Sequence, residues 1–163
     1  MGERPESDAG TRAQILADLA TAFAEAVTDE DRLLQLVVER IGAFTADACV
    51  IRLFDADHVP RAVAYYHPDP QLRERIRAVA VATNPDPRLG VWRQLLEDRR
   101  VVRLAIEPER LPEGMTPAQG WFLAGKPVRH FLGVPLIARG RVLGGILVVR
   151  CLRGEAYTDA DVD

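Results

Sequence analysis

Lysine and serine are almost missing from this 163-residue chain: Lys126 is the only lysine and Ser7 the only serine. A lone serine in a polar N-terminal stretch gives no basis for a serine–histidine–acid triad. The lysine shortage leaves the basic charge to arginine, which reads as a compositional habit rather than a site. There is no basic excess either. The 21 basic and 24 acidic residues leave a net charge of -3, whereas a nonspecific nucleic-acid binder needs a positive field. Two cysteines, Cys49 and Cys151, exclude a disulfide-dense scaffold and a four-cysteine zinc site. The first ten residues are polar, contain Pro5 and do not read as a secretory leader. No apolar run approaches the roughly 20 residues that cross a bilayer. The expectation is a cytoplasmic protein without direct membrane contact. Walker-type and dinucleotide motifs are absent, and Gly144-Gly145 lacks a following lysine and hydroxyl to hold phosphate.

What is present is ordinary globular material: 48% hydrophobic and 28% charged residues. Residues 1–10 read as a flexible tail and 11–163 as a single domain. Thr11 and Gln14 have capping-box spacing. Ile15, Leu19, Phe23 and Ala26 then share one face of an alanine-rich helix over 11–27, which has little bulk to bury and suits dimerisation. Thr28 and Asp29 can cap a second helix with Leu33, Leu34, Val37, Val38 and Ile41 on its apolar face. Gly42 is expected to loosen its end. The period then drops to two. Cys49 to Phe54 reads as a strand, Asp55 to His58 as a turn, and Val59 to Tyr66 as the hairpin partner. Leu72, Ile76 and Val79 mark a helix, Val91 to Leu96 a short one, and Val101 to Leu104 a short strand. Glu107 to Pro117 holds three prolines and reads as a loop, and Ala118 to Ala124 as another short helix. Val128–Ala138 and Val142–Arg150 form a final hairpin about Gly140, with Gly144 and Gly145 marking a bulge or a close approach. Hairpins at both ends favour an antiparallel sheet with helices over one face, an α+β sandwich. Thr158 and Asp161 resemble the capped start of a closing helix, so the expectation is a domain cut from a longer chain with its C-terminal helix truncated.

Taken in order, these pieces resemble the GAF family over roughly residues 29–163. Thr28-Asp29 with Leu33–Val38 resembles its opening helix and Ala48–Asp55 its first strand. Phe131-Leu132-Gly133-Val134-Pro135-Leu136-Ile137, then Gly140, then Val142–Val148 resembles its late signature, and Tyr157–Asp161 the start of its closing helix. The resemblance implies a PAS-related, six-stranded antiparallel sheet with helices at its back and a small-ligand cavity on the other side. It implies a noncatalytic sensory or regulatory domain of a larger signal-transduction protein. A two-component histidine kinase is the first choice of output. The terminal helices would pair in a homodimer and relay to the linked output domain.

No catalytic, metal or cofactor residues stand out. His58 reads as a solvated turn residue, and His67, before Pro68, as a helix or turn contact. His130 faces either the cavity or solvent. None of the three forms a close pair. Cyclic-nucleotide relatives carry an Asn-Lys-x-x-x-Phe-x-x-x-Asp-Glu run, and bilin-attaching relatives a Cys-His pair; neither occurs. If first and last strands pair, as the resemblance implies, Cys49 and Cys151 come near each other, and two small hydrophobes is the plainer reading. Arg52, Arg129 and Arg150 read as an exposed sheet face, with an anion clamp as the alternative. Tyr65, Trp92, Trp121, Phe122, His130 and Phe131 are the candidate lining of a ligand pocket, since Trp and Tyr combine apolar area with a polar handle. The alternatives are a ligand-free dimerisation module, in which the same aromatics fill core, and less readily a haem or bilin sensor or a reductase-like enzyme.

Overall fold

The computed structural model describes residues 29–107, 110, 112–114, 129–150 and 154–162, together with Gln14 and Ala17. Gln14 and Ala17 are helical. The rest of the expected 11–27 helix lies outside the described residues, as do the expected helix over Ala118–Ala124, Trp121, Phe122 and Cys151.

Helix α1 spans Glu30–Thr45. Asp29 caps it by accepting from the Arg32 amide at 3.1 Å, and Ala46, at φ 57°, ends it. Strand β1 (Ala48–Phe54) follows. The Asp55 carboxylate then accepts from the Asp57 and Val59 amides and organises the turn into β2 (Pro60–Tyr66). Asp69 caps α2 (Pro70–Ala82), with Pro70 in its first turn where no amide is needed. A four-residue helix α3 (Gly90–Arg93) runs into a π-helical turn, Gln94–Asp98, and then the short strand β3 (Val102–Ala105). Strands β4 (His130–Ala138) and β5 (Arg141–Arg150) close the sheet. Arg139 and Gly140, at φ 50° and 75°, make the two-residue turn between them.

The strands form one antiparallel sheet in the order β2-β1-β5-β4-β3. Five strands are present among the described residues, one fewer than expected. Helices cover both faces, not one. Val38 of α1 packs with Cys49, Ile51, Ala64, Leu132, Val148 and Tyr157 on the first face. Ile76 of α2 and Trp92 and Leu95 beyond it pack with Ala48, Val102, Phe131 and Leu147 on the second. Double burial explains why β1 and β5 are nearly continuous apolar runs instead of alternating ones.

Glycines let the layers close. A Cβ on Gly144 would enter the Arg52 carbonyl of β1, so β5 and β1 approach closely there. One on Gly145 would press on Leu95 and Trp92. Gly42 does not loosen the end of α1, which runs on to Thr45; it is where the Tyr66 ring seats against the helix.

Candidate functional site

The second face gathers three of the proposed pocket residues. Trp92 and Phe131 are both buried in its core, and Tyr65 packs against them. The Trp92 ring meets Phe54 edge to face, centroids 5.9 Å apart. Among the described residues, Trp92 and Leu95 are carried by short, irregular pieces, α3 and the π-helical turn, with the longer α2 beside them through Ile76. Gly90 holds a left-handed φ of 52° at the start of α3 and lies against the Glu113 carbonyl, where a side chain would not fit. His130 is not part of this group. Alternation along β4 puts it on the first face, opposite to Phe131, and its Nε2 lies 3.1 Å from the Gly154 carbonyl oxygen. The pairing of β1 with β5 is as the resemblance implied, with Cys49 opposite Val148. Cys49 is fully buried and burial pushes its thiol up to about 12, which leaves no thiolate for catalysis near neutral pH. His58 sits in its exposed turn at φ 59°. Among the described residues no helix is long and apolar enough to cross a membrane.

Two arginines differ from the exposed reading. Arg52 is 2% exposed. Its guanidinium donates to the carbonyls of Pro60, Thr83 and Ala80 and to the Thr83 hydroxyl, at 2.8–3.0 Å. It thereby stops α2, satisfying carbonyls at the helix end with no carboxylate partner among the described residues. Burial lowers its pKa to about 10, and it remains charged at neutral pH. Arg150 is 5% exposed. Its Nε donates to Asp47 Oδ2 at 3.0 Å, and its Nη1 to the Glu155 carbonyl at 3.1 Å. The guanidinium carbon stands 4.0 Å from the Tyr157 ring centroid. Burial alone would lower the Arg150 pKa; Asp47, aided by Tyr157 and Asp161, raises it above the ordinary value. The Tyr157 hydroxyl also donates to Asp47 Oδ2, at 3.1 Å. Arg129 alone of the three is exposed.

Asp47 and its pairing with Arg150 and Tyr157 escaped the sequence reading, yet a signal was there. A strand buried on both faces has no exposed side, so an arginine inside an unbroken apolar run must find buried acceptors. Arg52 does so on backbone carbonyls and Arg150 on a carboxylate. The Tyr157–Asp161 segment behaves as read: the Asp161 carboxylate accepts from the Thr158 amide and hydroxyl, at 2.6 and 2.9 Å. It starts a single 3-10 turn, Asp159–Asp161.

The comparisons agree with this architecture. A profile described as GAF domain matches residues 27–163. The GAF domain of an Acinetobacter phosphoenolpyruvate-protein phosphotransferase superposes with a TM-score of 0.65 at 17% identity, covering 97% of this chain and 85% of that one. The GAF domain/HD domain protein from Geobacter sulfurreducens gives 0.66 at 16%, covering 84% of each. The phycocyanobilin-bound GAF domain from a cyanobacterial phytochrome gives 0.60 at 14%, covering 92% and 85%. No curated protein matches the sequence.

Proposed function

The chain belongs to the GAF family, and from that premise we propose that it is a noncatalytic sensory domain of a larger signalling protein, a histidine kinase first among the outputs. It binds a small, flat, largely apolar molecule on the second face of the sheet and relays through its terminal helices, which pair in a homodimer. The observation that carries this reading is the contrast between the two roofs. Among the described residues a 16-residue helix covers the first face, whereas the second is covered by α2 through Ile76 and, around Trp92 and Leu95, by only a four-residue helix that runs into a five-residue π-helical turn. Short elements with few internal hydrogen bonds open locally at low cost, and π-helical turns recur at functional sites. A GAF neighbour of similar fold is phycocyanobilin-bound, which supports a ligand-binding role for this chain.

A ligand-free packing module is the second reading. It is favoured by the tight seating of Leu95, which is fully buried, against Gly133 and Gly145. Screening a library of heterocyclic small molecules by Trp fluorescence and amide chemical shifts separates the two. The sensory reading expects saturable shifts centred on Trp92, Leu95 and Phe131 that Trp92→Ala removes. No saturable binder in the screen, with a persistent dimer, supports the packing module.

A further inference from the structure

Asp47 stands at the point where four segments meet. It follows the left-handed residue that ends α1 and immediately precedes β1. It holds Arg150 at the end of β5 and Tyr157 in the exit segment. Arg150 in turn holds the Glu155 carbonyl and lies 3.7 Å from Asp161. All of this uses one oxygen of the carboxylate. Oδ1 is buried and has no hydrogen-bond partner among the described residues.

A second orphan sits at the β2–α2 corner. His67 is 1% exposed. Its Nδ1 accepts from the Asp69 amide at 2.9 Å, and its carbonyl accepts from Arg73 Nε, also at 2.9 Å. A ring nitrogen that accepts a backbone N–H carries no proton itself. The neutral imidazole therefore has its proton on Nε2. That buried donor has no partner among the described residues. The β1–β2 register pairs Cys49 with Tyr66, so His67 follows opposite Ala48 and one step from Asp47, and the Asp47 carbonyl and the Tyr66 ring both lie beside Gly42. A buried donor and a buried acceptor thus remain unmatched in one neighbourhood. Buried polar groups are almost always paired, commonly through an internal water when two protein groups do not meet.

We propose that one internal water molecule is held between His67 and Asp47, accepting from Nε2–H and donating to Oδ1. The bridge joins the corner that starts α2, on the ligand face, to the clasp that fixes the exit segment on the first face. Its place in signalling rests on the sensory reading above; the bridge itself does not. A shift of α2 would act on His67 through Asp69 and Arg73, and through the water on the carboxylate that holds Arg150 and Tyr157.

The test uses the free protein without ligand, so its failure leaves the sensory reading standing. Imidazole 15N spectra should show the Nε2-protonated tautomer of His67, and a cross-relaxation signal should connect that proton to a long-lived water. His67→Phe should speed exchange of the 157–162 amides by roughly tenfold, the effect of losing a hydrogen-bonded partner. His67→Gln, which keeps a donor, should restore most of the protection. If His67→Phe does not fold, the tautomer and water signals of the unaltered protein decide the matter alone. An Nδ1-protonated ring, or no bound water at Nε2, would overturn the proposal. So would equal 157–162 exchange in folded His67→Phe and the unaltered protein.

Discussion

The two faces of the sheet are closed in different ways. On the first, one capped helix lays a regular apolar stripe over Cys49, Ile51 and Val148, and the polar groups are gathered at one end around Asp47. On the second, α2 packs through Ile76, while Trp92 and Leu95 sit on pieces too short to be stable alone and pack with Phe131 of β4, and the buried Arg52 ties α2 to the sheet. The first arrangement gives a fixed platform. The second concentrates aromatic surface at short, irregular helical pieces, which is where a sensory domain gains by being able to open.

The largest test of this contrast is Asp47→Ala, which strands the Arg150 charge in the interior. Removing one partner of a buried pair is expected to cost about 3–5 kcal/mol, read by urea unfolding. Replacing both partners together by apolar residues of similar size should recover most of the loss. Arg52→Met comes next. It leaves the Ala80, Thr83 and Pro60 carbonyls short of a donor, at about 2–4 kcal/mol. Hydrogen exchange should quicken first in the last turn of α2. Gly144→Ala and Gly145→Ala then compare the two kinds of close approach directly. The first pushes on the β1 backbone and should cost about 2–3 kcal/mol. The second meets the ends of Leu95 and Trp92 and, less closely than Gly144 meets β1, the Val134 carbonyl, and should cost less than about 1.5 kcal/mol.

Smaller still is the pH effect. Burial holds the His67 pKa below its ordinary value in the fold, more than Asp69 and Asp47 raise it. The unfolded chain therefore binds the proton more readily. Stability is fully present above about pH 6.5 and falls as pH drops from there towards the lowered folded value. His67→Gln should flatten that slope in denaturant titrations between roughly pH 5 and 7.

The first face was largely legible in the sequence because its signals are periodic. Leu33, Leu34, Val37, Val38 and Ile41 mark α1, and the alternation from Cys49 and the Gly140 turn mark the strands they predict. The Thr158–Asp161 pairing is local and could be read from spacing. The second face was readable as aromatic residues but not as an arrangement, since Trp92 and Phe131, 39 positions apart, come into one core through tertiary packing. His130 fell on the other face through strand alternation, one step from Phe131. Arg52 and Arg150 were read as exposed because alternation assumes one wet face; the unbroken apolar runs around them carried the contrary signal. Asp47 carries no motif at all. Its partners, Arg150 and Tyr157, lie more than 100 positions away.

Residue-resolved hydrogen exchange on the free protein tests the two-roof account most directly. Amides of the π-helical turn Gln94–Asp98 should open at a free energy clearly below that of the buried turn of α1 around Val38, while β1 and β5 exchange only with global unfolding. Equal protection over both faces would contradict it and leave the chain a rigid packing module.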